Sequence, residues 1–204
     1  MGRSRGSFGA LLAFCAGAGC ASSAGTEAAA TRQYTQEEEQ AAWTAYMTPG
    51  DAHAKLASQA GKWDVTGKMW MHPDEPPAEM KGVAEFEMIL GGRYQWQNCK
   101  GDFMGMPFEG NGIVAYDNAL KKYMSFWIDS MGTGLMTMSG TMDSAGKVLT
   151  TSGEMTDPHG DTYWIRMVGT EKDADHMVFE MHVRGPQHPT EYRCMELSYT
   201  RRKE

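Results

Sequence analysis

The order of apolar and polar positions divides the chain into three stretches. Residues 8–19 (FGALLAFCAGAG) form an apolar, small-residue run behind Arg3 and Arg5. From residue 34 to residue 61 apolar side chains recur at helical spacing, and from Lys62 onward the period drops to two. Thr35, Gln36, Glu37 and Glu38 have the form of a capping box, with acids where the helix dipole favours them. They predict a helix through Trp43 and Tyr46 to about Met47. Thr48 and Pro49 read as an N-cap and a first helical proline, opening a second helix through Ala54, Lys55 and Leu56 that ends at Gly61.

In the third stretch Trp63, Val65, Gly67, Met69 and Met71 alternate with Asp64, Thr66 and Lys68, until residues 73–77 break the run. Further strand-like runs occupy 81–90, 93–104, 111–116, 122–129, 134–141, 147–154, 162–171, 176–184 and 191–201. The breaks are of turn type: Gly91 and Gly92, 105–110, Asp117 and Asn118, 143–146, 157–160, 172–175 and 185–189. About ten short strands joined tightly, with no crossover helix, predict a mainly β fold, an antiparallel up-and-down meander. Closing it into a lipocalin-like barrel removes both edges, with one or two short N-terminal helices over an end.

The first stretch changes the picture of where the chain resides. A basic n-region, a short apolar run and small residues make the layout of an export signal, too short for a comfortable membrane span. Gly17, Ala18, Gly19 and Cys20 resemble a bacterial lipobox, with Cys20 lipidated, although Leu is usual where Gly17 stands. Ala16, Gly17 and Ala18 also have the A-x-A form of plain secretion. Ala21, rather than Asp, fits the enterobacterial rule for outer-membrane sorting. The expected organisation is a signal over 1–19, a flexible polar tether over 20–33 and one barrel domain over 34–204. The expected location is the bacterial envelope, as an outer-membrane lipoprotein facing the periplasm, with a soluble periplasmic or secreted protein as the alternative.

Charge and cysteines follow from that cleavage. The chain holds 19 Lys and Arg against 26 Asp and Glu, a net charge of -7, which becomes -9 once Arg3 and Arg5 leave. This lacks the basic footprint that a phosphate backbone requires, so nucleic acid is excluded as a partner class. Cys15 leaves with the signal and Cys20 carries lipid, leaving Cys99 and Cys194. An oxidising compartment lets two such thiols close a disulfide if their Cα atoms lie within ~7 Å. The alternative is two buried thiols acting as small hydrophobes. The 24 glycines argue against a helical bundle, and the 18 methionines are the more unusual count.

Methionine comes in three M-x-M pairs, Met69/Met71, Met104/Met106 and Met136/Met138. Paired thioethers suit Cu(I), but the pairs lie in separate elements, and adaptable core filling is the plainer reading. His53, His72, His159, His176, His182 and His188 form no zinc-ligand motif. His182 is the one histidine in the interior of a predicted strand, where a haem ligand would stand. It shares its face with Glu180 and Arg184 and so is expected to face water. Residues 157–161 offer too few oxygens for calcium. No G-x-S-x-G elbow, phosphate loop or dinucleotide fingerprint occurs, so no catalytic residue, metal or cofactor is predicted.

The strands themselves hold the candidate site. Tyr123, Ser125, Trp127 and Asp129 share one face of a strand, and Met124, Phe126 and Ile128 the other. Charges recur inside apolar strands at Glu85, Glu87, Asp129, Glu154, Arg166 and Glu196. Outward alternation explains some of them. The sharper reading is a cavity lined by Trp, Tyr and Met with a few polar groups. The candidate ligand-binding residues are Glu87, Tyr123, Trp127, Asp129, Met136, Glu154 and Arg166, with Asp129 and Arg166 paired across the barrel.

The segment GGRYQWQNCKGDFMGMPFEGNGIVAYDNALKKYMSFWIDSMGTG, with KMWMHPDEPPAEMKGVAEFEMIL before it and SGEMTDPHG after it, resembles the bacterial domain of unknown function 1579 family over about residues 45–202. The runs FMGMPFEG, YDN and WIDSM carry the resemblance most specifically. It implies a calycin-like β-barrel and no assigned activity. His72, Cys99, Phe126, His182 and Cys194 depart from the family pattern, so any role for them belongs to this chain. The expected function is non-catalytic binding of a small, largely apolar or amphipathic ligand inside the barrel, on a chain held to the membrane by its lipid. A packed barrel serving as an envelope interaction module is the alternative, and an enzyme with an unrecognised site the third.

Overall fold

The computed structural model describes residues 32–203; the expected signal, the lipidation site Cys20 and most of the expected tether lie outside them. Two helices, α1 (Gln36–Met47) and α2 (Asp51–Ala57), precede ten strands. These are β1 (Gly61–Met69), β2 (Ala78–Ile89), β3 (Tyr94–Phe103), β4 (Met106–Asp117), β5 (Lys122–Asp129), β6 (Met136–Met142), β7 (Val148–Thr156), β8 (Thr162–Asp173), β9 (His176–Arg184) and β10 (Tyr192–Arg201). Each strand pairs antiparallel with the next, and β1 pairs with β10, so the sheet is a closed up-and-down barrel. The closing ladder runs from Trp63 opposite Arg201 to Met69 opposite Met195. The Arg202 N–H to the Lys62 carbonyl and the Trp70 N–H to the Cys194 carbonyl, both 2.8 Å, extend it at either end. The ladder between β5 and β6 is the shortest, with five residue pairs.

Two expectations need correcting. Thr48 does not cap α2: its hydroxyl donates back to the Thr44 carbonyl of α1 at 2.6 Å. Gly50 is the N-cap instead, its carbonyl accepting the His53 and Ala54 N–H groups while its own N–H reaches His53 Nδ1 at 3.0 Å. Residues 105–110 are not a long break either. The chain reverses at Met104 and Gly105, both at positive φ, and β4 already begins at Met106. Gly110 and Gly112 are strand residues whose missing Cβ makes room for the Trp127 ring.

One end of the barrel is closed by α2. Leu56 and His53 are buried there, and the carbonyls at the helix end, orphaned in any helix, find donors on three strands. Gln95 of β3 donates to the Leu56 carbonyl at 2.8 Å, and Trp63 Nε1 of β1 to that of Gln59 at 3.1 Å. Arg201 of β10 donates to the Ser58 and Ala60 carbonyls while its guanidinium lies 4.2 Å from the Trp63 ring centre. A cation at a helix C-terminus is also the favourable charge for the dipole. Lys55 pairs with Glu171 of β8 at 2.6 Å.

The interior is packed in two places. Near α2, Trp63, Ala84 and Phe86 gather Val65, Cys99, Met177 and Tyr199; elsewhere Met138, Ile165, Val183 and Cys194 gather Met136, Tyr163, Met167, Met181 and Tyr192. The ladder register places eight glycines on the inward face: Gly67, Gly82, Gly101, Gly110, Gly112, Gly140, Gly153 and Gly169. Two of them are opposites in what surrounds them. A Cβ at Gly140 would overlap the Thr150 backbone carbonyl, whereas a Cβ at Gly169 would meet no atom within 4 Å. Gly140→Ala is therefore expected to destabilise the fold by about 1–3 kcal/mol, the range of overpacked interiors. Gly169→Ala should stay within about 0.5 kcal/mol of the unsubstituted chain, both read from urea unfolding.

Candidate functional site

The inward face of the barrel is the candidate site, and the register sorts the expected lining residues. Tyr123, Trp127 and Asp129 stand on the inward face of β5, and Met136 on that of β6. Trp127 lies against β4 over Gly110 and Gly112, a packing that explains why glycine occupies both positions. Its Nε1 donates to Asp129 Oδ2 at 2.8 Å, and the Met131 N–H donates to Asp129 Oδ1 at 2.9 Å. The Tyr123 ring meets Tyr116 edge-on at 4.9 Å, and burial pushes its hydroxyl above the ordinary tyrosine value, with Tyr116 adding to the shift.

Glu87, Glu154 and Arg166 are on the outside. Each follows an inward residue, Phe86, Gly153 and Ile165 respectively, so the period of two turns it outward. The expected Asp129–Arg166 pair is not formed: Arg166 pairs with Glu191 instead, and Asp129 is held by Trp127 and Met131. Cys99 and Cys194 are free thiols in the two separate clusters, not a disulfide. Burial pushes Cys99 up to about 12 and Cys194 up to about 11, so both are protonated at neutral pH and poor nucleophiles. Met136 and Met138 share the inward face of β6; Met69 ends β1 with Met71 in the following loop, and Met104 and Met106 flank a turn.

Composition alone did not single out the other half of the lining. Met167, Phe179, Met181 and Leu197 also face inward, at mid-strand, and all are only half-buried. Open space lies above Gly169, where a Cβ would meet no atom within 4 Å. Charge is scarce along it: among the described residues the inward face carries Asp129, Glu171 and Arg201, and each has the partners given above. A surface depression of about 330 Å³ lies outside the barrel beside Trp164, where Arg184 covers the ring at 4.7 Å.

The outer face of β8–β10 carries the opposite chemistry. His182 stands among Arg166, Glu191, Glu180 and Arg193, with Nδ1 3.6 Å from Glu191. It faces away from the interior, as expected, yet its side chain is only 19% exposed. Burial holds His182 below the ordinary histidine value, and Arg166 adds to this against the pull of Glu191 and Glu180. The hydrogen bond from Arg166 holds Glu191 below the usual carboxylate range. Below the ordinary histidine value the unfolded chain takes up a proton that folded His182 refuses, so folding stability falls as pH is lowered through that window. His182→Gln is expected to flatten this part of the stability–pH curve, measured by urea unfolding between neutral and mildly acid pH.

The barrel is similar to the crystal structure of Rv2717c from M. tuberculosis, at a TM-score of 0.60 and 14% identity, covering 76% of this chain and 100% of that one. A redesigned β-barrel matches 73% of this chain and 96% of its own at 13% identity, with a TM-score of 0.39. No curated protein matches. The model of the family described as protein of unknown function (DUF1579) matches residues 48–201, the whole barrel with α2, and the chain belongs to that family.

Proposed function

We propose that this chain is a non-catalytic binding or carrier protein that takes a small, largely apolar, uncharged ligand into the barrel. The observation that carries this reading is the soft, nearly uncharged inward face, with Met167, Phe179, Met181 and Leu197 on it and open space above Gly169. An eight-stranded barrel is about wide enough to be filled by side chains or to hold one small ligand, and ten strands leave more room. Methionine and aromatic lining with few polar groups is the usual make-up of such a site. Burying a charged ligand there would leave its charge without a counter-ion, a costly arrangement. The protonated thiols supply no nucleophile. Export and lipidation at Cys20, supported by the N-terminal residue pattern, would place this activity at the cell envelope.

Two experiments test the reading. A neutral apolar dye such as Nile red is expected to bind the full chain saturably, and Gly169→Leu should weaken binding about tenfold or more by occupying the open space. The unfolding midpoint of that variant should stay unchanged, and a chain that binds no neutral dye saturably defeats the proposal. Independently, Cys20→Ala should move the protein from the membrane to the soluble fraction of its host. Unchanged partitioning removes the lipid anchor from the account.

A further inference from the structure

The outward side chains of β3, β4 and β5 form an apolar face that no other described element covers. The ladder sets Tyr94, Ala115 and Met124 in one row and Trp96, Ile113 and Phe126 in the next, with Ile128 beyond. Tyr94 is 38% exposed, and Met124 and Ile128 are 42% exposed. The adjacent outer face of β6 and β7 is different, showing Thr137, Ser139, Thr150 and Ser152. An apolar face of this extent on one side of a barrel is the kind of surface that marks an interaction site.

The C-terminal end of helix α1 is tied to the turns at the edge of this surface. The helix buries no residue, while Trp43, Tyr46 and Met47 are all about half exposed or more. Its end is fastened by Arg93, which donates to the Met47 carbonyl, and by Asn118, whose amide donates to the Ala45, Tyr46 and Thr48 carbonyls. Those residues sit in the turns that lead into β3 and out of β4, so the end of α1 that carries Tyr46 and Met47 stands at the edge of the apolar face. A helix of 12 residues with no packed side is at the length where isolated helices are marginal in water. The helix and the sheet face thus carry two sets of exposed apolar side chains that meet at one edge of the barrel.

We propose that the chain pairs with a second copy of itself through α1 and the outer face of β3–β5. A two-fold pairing uses the same patch on both copies, so every complementary contact counts twice. The charges bordering the patch suit this. The first turn of α1 carries Glu37 and Glu39, while the turn between β4 and β5 ends in exposed Lys121 and Lys122. The acidic turn of each copy faces a basic edge on the other, in a chain whose net charge of -7 otherwise repels copies. Three strands about 4.8 Å apart over about 20 Å, with a helix face about 18 Å long, cover roughly 500 Å² per copy. The total of about 1,000 Å² is at the lower bound for a specific interface, so the pairing is reversible and concentration-dependent. It does not depend on whether the barrel holds a ligand.

Sedimentation velocity of the full chain over a roughly hundredfold concentration range tests this. The expected result is a shift from monomer to dimer as concentration rises. Met124→Lys combined with Ile128→Lys should abolish it, as should Trp96→Glu; Lys121→Glu with Lys122→Glu should weaken it about tenfold. Circular dichroism and the unfolding midpoint at low concentration check that the variants keep the fold, the first pair being exposed positions. A wild-type chain that stays monomeric throughout overturns the proposal, as does association that survives the patch variants. Patch-dependent sedimentation with phosphatidylcholine vesicles, without self-association, would assign the surface to a membrane and overturn it equally.

Discussion

The pairing of β1 with β10 is the constraint from which the rest of the architecture follows. Without it the sheet would have two open edges, each a row of unpaired N–H and C=O groups. Closure gives every strand two neighbours and separates an inside from an outside along each strand. It also brings Arg201 beside Trp63, and from there the arginine reaches the carbonyls at the end of α2. The helix is therefore held to the barrel mouth by donors on β1, β3 and β10, two of which are neighbours only because the wall is closed.

Much of this was legible in the residue pattern, and the exceptions have physical causes. Strands with turn residues at both ends, such as β5 and β9, are where the alternation places them, because nothing competes with the period of two. The run 105–110 misleads because glycine has two uses that look alike in a sequence. Gly105 supplies a positive φ for a turn, whereas Gly110 lies in a regular strand beneath the Trp127 ring. Telling them apart requires knowing which side chain lies across the ladder. Glu87, Glu154 and Arg166 mislead differently. The outer face is itself apolar in places, at Trp96, Phe126 and Trp164, so a charge in an apolar strand does not reveal which way it points. Anchoring the alternation on the buried Ile165 settles Arg166 at once, but that burial is a property of the closed barrel.

The methionine count has a structural reading that composition alone lacked. Met136, Met138, Met167, Met177 and Met181 all face inward, interleaved with glycines that bring neighbouring strands close or, at Gly169, leave space. An unbranched thioether chain fills irregular space beside a missing Cβ better than a branched residue does, because it adapts by rotating about single bonds. Polar chemistry is kept elsewhere: the carboxylates, guanidinia and His182 of β8–β10 compensate one another on the outer wall. The two thiols, isolated in separate apolar clusters, stay protonated. Inside and outside thus differ in kind, soft and neutral against charged and paired.

The short ladder between β5 and β6 has a dynamic consequence. A wall opens locally where the fewest backbone bonds must break, and five residue pairs hold this junction against ten between β3 and β4. The junction carries Trp127 on one side and Met136 on the other, both inward, with the irregular segment 130–135 joining the two strands. Amide exchange should be fastest along this seam. A parting of a few bonds there would expose the interior from the side, beside Met138, leaving the α2 plug and the cluster around Trp63 undisturbed. The barrel then breathes through its wall and not through its capped end.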